Sequence, residues 1–275
     1  MAELPSLLAV FAHPDDEAFP TGGTLAHYAR LGHRVYLACA TRGEVGQLKD
    51  PSLAPPDGSP LDMAALRTGE LEASCKALGI EPPIFLGYRD SGRKDRLRKD
   101  DPQALYNADL WEVEAKIREV IAQVRPKVLI TFDSHGGYGH PDHLVIHRAA
   151  TAAFYSSGHL PDPPQRLFYS AFTIERAAAM QQSGQASSIM DGLDPQVYGV
   201  SEGTIILRMN VSDYVPNKMA AVQAHRSQFA PMTAESVPPE RRAQMQQWMA
   251  TETFALGGTR GPIPHWPLLD MFEGM

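Results

Sequence analysis

Leu7-Leu8-Ala9-Val10-Phe11-Ala12-His13-Pro14-Asp15-Asp16-Glu17-Ala18-Phe19-Pro20-Thr21-Gly22-Gly23 places an apolar run directly before a histidine, three acids and two glycines. The apolar run reads as a buried strand. In an open α/β sheet, ligands bind in the crevice outside the carboxyl ends of the strands. The most chemically loaded segment of the chain therefore falls where such a sheet keeps its site. A plainer account makes Pro14 the first residue of a helix, with Asp15, Asp16 and Glu17 complementing its dipole. That account leaves His13 unexplained. A His and an Asp three residues apart can grip one metal ion from a tight turn.

Outward from this stretch, strands and helices alternate. Thr24-Leu25-Ala26-His27-Tyr28-Ala29-Arg30-Leu31 reads as a helix stopped by Gly32, and Val35-Tyr36-Leu37-Ala38-Cys39-Ala40 as a second strand. A strand, helix and strand this close form one right-handed parallel unit. Residues 63–78 carry Leu66, Leu71, Cys75 and Leu78 on one helical face, with Gly79 as the stop. Ile84-Phe85-Leu86 is a third strand. Val113, Ile117, Val120, Ile121 and Val124 recur at helical period over 111–124, and Pro126 ends that helix. Val128-Leu129-Ile130-Thr131-Phe132 is a fourth strand. This pattern predicts an α/β, Rossmann-like, doubly wound and mostly parallel sheet. No Gly-x-Gly-x-x-Gly follows the first strand, which argues against a dinucleotide.

The remainder is less regular. Helices are expected over 177–188, 215–228 and 241–249, a strand over 204–210, a loop over 234–240, and an edge strand over 251–254. We expect residues 1–160 to form the metal-binding core, and 161–275 to complete the same domain and the substrate pocket.

The fourth strand runs into Ser134-His135-Gly136-Gly137-Tyr138-Gly139-His140-Pro141-Asp142-His143. A capped helix with incidental histidines would explain one such cluster. Two clusters, each a His-Pro-Asp after a parallel strand, are harder to dismiss. His13, Asp16 and His143 would supply two imidazoles and a carboxylate and leave positions open for water and substrate, as catalytic sites do. His147, one helical turn beyond His143, is a rival ligand. Asp15 is then free to take a proton from a metal-activated water. His140 could stabilise or protonate a tetrahedral intermediate, with Asp142 fixing its tautomer. Tyr138, flanked by glycines, could donate to the oxyanion. These parts suit hydrolysis of an amide or ester. Two histidines and a carboxylate also suit iron(II) as well as zinc.

Bulk properties narrow the partners. The chain has 275 residues, 43% hydrophobic and 21% charged, with a net charge of −7, as expected of a soluble globular protein. The one basic run, 93–99, ends in Asp100 and Asp101 and reads as a solvated loop, so no nucleic acid is expected. No apolar run approaches the ~20 residues that span a bilayer, and the start lacks a basic leader. No membrane association and a cytoplasmic location are the expectations. Cys39 and Cys75 read as small core residues. The oligomeric state stays open, with a homo-oligomer one option.

Ala12-His13-Pro14-Asp15-Asp16-Glu17 together with His140-Pro141-Asp142-His143 resembles the PIG-L / LmbE-like family of metal-dependent N-acetylglucosaminyl deacetylases. Thr41-Arg42-Gly43-Glu44-Val45-Gly46, Arg67-x-x-Glu70, Gly87-Tyr88-Arg89-Asp90 and His225-Arg226-Ser227-Gln228 follow the same family pattern in order. The resemblance implies that His13, Asp16 and His143 bind the metal, usually zinc. It implies Asp15 as general base, His140 as its electrophilic or acid partner, Asp142 as the residue orienting His140, and Tyr138 as a mobile tyrosine. It implies that Glu44, Arg67 and Asp90 lie near the sugar, and that the substrate is a small amino sugar conjugate. An amidase for a larger acyl group would use the same site with a different pocket, and a non-catalytic sugar-binding module would need neither Asp15 nor His140.

Overall fold

The computed structural model describes residues 4–182, 194–229, 243 and 246–275. In chain order the elements are β1 (Leu7–Phe11), α1 (Ala18–Arg30), β2 (Val35–Cys39), α2 (Met63–Leu78), β3 (Ile84–Phe85), α3 (Leu110–Val124) and β4 (Val128–Phe132). There follow α4 (Gly136–Gly139), α5 (Pro141–Ser156), β5 (Arg166–Ser170), α6 (Ile174–Gln182), α7 (Pro195–Tyr198), β6 (Ile205–Asn210), α8 (Val215–Ala224) and β7 (Thr251–Thr259). The strands make one sheet in the order β3-β2-β1-β4-β5-β7-β6. β3, β2, β1, β4 and β5 are parallel, and β7 runs antiparallel to both β5 and β6.

Every residue of β1, β2 and β4 is buried, as central parallel strands covered on both faces must be. Leu7 pairs with Val35 on one side and Val128 on the other, so β1 lies between β2 and β4. The strand order reverses there. The loops after β1 and β4 leave the same edge of the sheet side by side, and the crevice between them is the usual ligand position of this architecture. One apolar cluster runs from β1 through Phe254 of β7 to Met271. Cys39 and Cys75 are buried free thiols. Among the described residues no helix is long and apolar enough to cross a membrane.

The helix boundaries follow their caps. Asp62 accepts the Ala65 N–H at 3.0 Å to open α2, and Gly79 closes it at φ 75°. α3 ends on Arg125 in the left-handed region (φ 48°), one residue before Pro126. α1 begins at Ala18, earlier than its apolar period suggests, because Pro20 lies in the first turn where its missing N–H is tolerated. Its glycines are packing residues: a Cβ on Gly23 would lie 2.5 Å from Val211 Cγ2.

The second half departs further from expectation. The strand at 251 is no edge. It is nine residues long and sits between β5 and β6. Gly257 serves a close approach, since a Cβ there would meet Tyr169 Cζ at 2.6 Å. Arg166–Ser170, its partner, carries too short a pattern to announce a strand. α8 stops at Ala224, so His225 leads a turn. The helix expected over 177–188 is seen as far as Gln182, and that over 241–249 is helical at 243 and 246–249; the rest of both, and the loop over 234–240, lie outside the described residues.

Candidate metal and hydrolytic site

The turn after β1 and the segment after β4 meet as the topology requires. Nδ1 of His13 lies 3.3 Å from Nε2 of His143, and the Asp16 carboxylate lies 3.4 Å from the first and 3.2 Å from the second. His143 Nδ1 is 2.9 Å from the Gly136 carbonyl, which can only accept, so Nδ1 carries the proton and Nε2 turns its lone pair inward. His13 Nε2 donates to Asp142 Oδ2 at 3.0 Å, leaving Nδ1 inward as well. Two ring nitrogens and the two oxygens of Asp16 thus face one another, an arrangement that a positive charge among them would stabilise. Donors at about 2.0–2.1 Å from one tetrahedral ion stand roughly 3.3 Å apart; here the two ring nitrogens are 3.3 Å apart, and Asp16 offers Oδ2 to His13 at 3.4 Å and Oδ1 to His143 at 3.2 Å.

The electrostatics agree. Burial opposes a charge on His13, yet Asp90 and hydrogen bonds to Asp142 and Asp16 raise its pKa well above that of an ordinary imidazole. Burial likewise opposes a charged Asp16, but the facing His143 and His13 hold its carboxyl well below the usual range. A metal ion binding here would take the place of that proton.

His143 is fixed in the first turn of α5 by ring stacking on Phe132, with centroids 4.0 Å apart, and by contact with Gly136. Gly136 has φ 60°, and a Cβ there would lie 2.7 Å from the Cβ of His143. His147 is outside the cluster: its Nδ1 bonds the Phe132 carbonyl at 2.9 Å. His140, which caps α5, joins the cluster, with its ring 4.6 Å from that of His13 and 4.9 Å from that of His143. Both His13-His140-His143 and His13-Asp90-Asp142 have donor atoms close enough to share an ion.

Asp142 departs from its expected role. Its carboxylate holds His13, and Ser91 N–H at 3.0 Å, through the same oxygen. His140 Nδ1 receives instead the backbone N–H of Asp142, at 3.2 Å. A ring that accepts at Nδ1 carries its hydrogen on Nε2 when neutral. Burial, with His13 and His143 nearby, keeps the pKa of His140 well below normal, so the ring is neutral.

Asp15 sits beside the three donors at φ 116°, a region costly for a residue with a side chain. Arg67 NH2 reaches its carboxylate at 3.2 Å, and burial, against the pull of Arg67, pushes its pKa up to about 6. Arg67 is not the surface arginine that an exposed helix would carry. It is 3% exposed and donates also to the carbonyls of Pro14 and Gly43. Glu44 accepts the N–H of Asp90, and Asp90 Oδ1 lies 3.5 Å from His13 Nε2. Tyr138, in the kinked α4, has its ring 5.0 Å from that of His143, and burial raises its pKa so that the phenol keeps its proton. Glu17, Ser74, Ser91 and His225 also belong to this assembly. Glu17 and His225 fall within stretches that follow the family pattern, but their part in the site is not readable there, and nothing local in the sequence marks Ser74 or Ser91.

A family model described as PIG-L: GlcNAc-PI de-N-acetylase matches residues 8–154. A relative from Salinispora arenicola, 1D-myo-inositol 2-acetamido-2-deoxy-alpha-D-glucopyranoside deacetylase, is 36% identical over 233 residues, covering 81% of this chain and 76% of its own. Among solved structures, N,N'-diacetylchitobiose deacetylase from Pyrococcus horikoshii is similar at a TM-score of 0.54 and 22% identity, over 92% of this chain and 83% of that one. A 4-carboxy-2-hydroxymuconate hydratase from Pseudomonas putida is similar at 0.58 and 16% identity, over 96% and 100%. The fold thus serves more than one reaction, and the side chains in the crevice must decide between them.

Proposed function

Because the chain belongs to the PIG-L family of GlcNAc-PI de-N-acetylases, we propose that it is a metal-dependent hydrolase that removes the acetyl group from a small N-acetylglucosamine-type conjugate. The observation that carries the reading is the set of three donor groups with contacts of 3.2–3.4 Å, with a further carboxylate, that of Asp15, near enough to feel the charges of Asp16 and His13. A structural metal site needs no such spare base.

His13, Asp16 and His143 would hold the ion, and their spacing favours zinc, with iron(II) as the alternative. A metal bound there supplies Lewis acidity to an amide carbonyl and acidifies a coordinated water. Asp15 takes the proton: a carboxyl titrating at about 6 is ionised at neutral pH yet basic enough to serve. His140, neutral with its hydrogen on Nε2, acts as an electrophilic partner that donates a hydrogen bond to the developing oxyanion. Tyr138, protonated, is a second donor for the same charge. Asp142 orients His13 and raises its basicity as a ligand. We assign Arg67 to holding Asp15, and Glu44 to holding Asp90 at the sugar end of the crevice. Residues 161–275 complete the same domain, a reading supported by β6 and β7 extending the one sheet.

The test is acetate release from a panel of N-acetylglucosamine conjugates, with zinc and with iron(II), beside conjugates bearing bulkier acyl groups. Acetate release that depends on added metal supports the reading. Release of only the bulkier acids would make the protein an amidase of another class, and no release from any conjugate would refute hydrolysis.

A further inference from the structure

Glu17 is the third acid of the first loop, and neither of its oxygens turns toward the three donors. It is fully buried. Its Oε2 accepts the backbone N–H of Asp15 at 3.0 Å. Its Oε1 accepts from Ser74 Oγ on α2 and is 2.7 Å from Nε2 of His225, which follows α8. His225 is itself fully buried, and its Nδ1 has no hydrogen-bond partner among the described residues. The turn bearing it is fastened from below, where Glu70 accepts both the N–H and the hydroxyl of Ser227.

Packing does not call for this arrangement. A carboxylate is unfavourable in an apolar interior unless fully paired, and an apolar residue would fill the space at less cost. What the carboxylate does is hold an amide. Asp15 stands at φ 116°, and such a backbone persists only where its surroundings over-determine it. Two buried groups grip the residue at different atoms. Arg67 binds its carboxylate and the preceding carbonyl, and Glu17 binds its N–H.

We propose that Glu17, carried by Ser74 and His225, is a positioning residue that fixes the Asp15 peptide and so aims the Asp15 carboxylate at the reacting centre. The inference rests on the reading of Asp15 as proton acceptor. It gives the segment after α8 a part in turnover: His225 acts on the proton acceptor through Glu17, without touching substrate. Displacing a reacting group by about 1 Å can lower a rate by about a hundredfold, so the effect belongs in kcat.

The experiment compares Glu17→Ala, Glu17→Gln and His225→Gln in the full chain loaded with zinc. In Glu17→Gln the amide oxygen still accepts the Asp15 N–H, and the amide nitrogen donates to a neutral His225 ring. The expected result is a fall in kcat of roughly ten- to a hundredfold for Glu17→Ala, with KM and bound metal per chain unchanged. Glu17→Gln should recover kcat to within about threefold of the parent. His225→Gln should lower kcat in the parent but add nothing in an Asp15→Ala background, because its path runs through Asp15. Should Glu17→Ala not fold, this last pair of backgrounds decides alone. A kcat within about twofold of the parent for Glu17→Ala, a loss of metal in step with activity, or an equal further loss from His225→Gln after Asp15 is gone would each overturn the proposal. A parent enzyme that releases no acetate would instead sink the functional reading.

Discussion

Replacing Asp142 by Asn separates charge from shape at the centre of the site. Asp142 is fully buried, and a single oxygen, Oδ2, accepts both from His13 Nε2 at 3.0 Å and from Ser91 N–H at 3.0 Å. Its other oxygen has no hydrogen-bond partner among the described residues. A carboxamide can therefore put its oxygen where Oδ2 was and keep both bonds; it loses the charge that makes His13 a stronger ligand and puts its NH2 where an oxygen already lacked a partner. Second carboxylates of this kind are worth about ten- to a hundredfold in metal affinity, or about 1.4–2.7 kcal/mol. Asp90, 3.5 Å from the same nitrogen, is too distant to replace it fully. Asp142→Ala is a different perturbation. It strands two buried donors at about 1–3 kcal/mol each, so a loss of about 2–6 kcal/mol falls on folding as well as on the metal. The assay is zinc competition against a chelator of known affinity, with urea unfolding of the metal-free proteins alongside. Asp142→Asn should lose less folding stability than Asp142→Ala, about 1–3 kcal/mol for its unpartnered NH2, and bind zinc about ten- to a hundredfold more weakly. If it binds zinc within about twofold of the parent, the carboxylate does not tune His13 and the assignment fails.

Other outcomes follow from the same geometry. Asp15→Ala should keep its metal by elemental analysis while acetate release falls by about a hundredfold or more; release at the parent's rate would remove Asp15 as base. Gly136→Ala combines an unfavourable φ of 60° with a Cβ 2.7 Å from that of His143, and urea unfolding should show a loss of about 2 kcal/mol or more. His225 is opposed by burial but raised above the ordinary imidazole value by Glu17. Its folded pKa exceeds its unfolded one, so its contribution is complete below about 6.5 and is lost as pH rises through the folded value. The stability difference between the parent and His225→Gln, both metal-free, should therefore shrink from pH 6 to pH 9 by urea unfolding. A difference that grows over that range would contradict the pairing with Glu17.

The parallel half of the sheet is legible because burial on both faces writes β1 and β4 as unbroken apolar runs, and the loaded segments follow them at once. His13 and Asp16 stand out for the same reason, since they lie two and five residues after β1, whereas His143 lies eleven residues after β4 and stands out through its His-Pro-Asp-His motif. β5 escapes notice, and β7 reads only as a short edge strand, because the second half of β7 answers to partners on a neighbouring strand, as Gly257 answers to Tyr169. The target of Asp142 is likewise a matter of direction. Three residues from His140-Pro141-Asp142 meet the helix cap, but only the fold tells which ring the carboxylate reaches. The resemblance places Arg67 near the sugar, but its burial and its hold on Asp15 depend on the carbonyls and acid that receive it, which no local pattern shows. Glu17 and His225 are separated by 208 positions, and no local pattern joins them.

The account depends on one ion shared by two turns of the chain. Zinc titration of the metal-free protein, with each of His13→Ala, Asp16→Ala and His143→Ala measured beside it, tests that directly. One tightly bound ion per parent chain, and weakened binding in all three variants, is the predicted result. Unchanged stoichiometry and affinity in any one of them would show that these donors do not converge on a common metal.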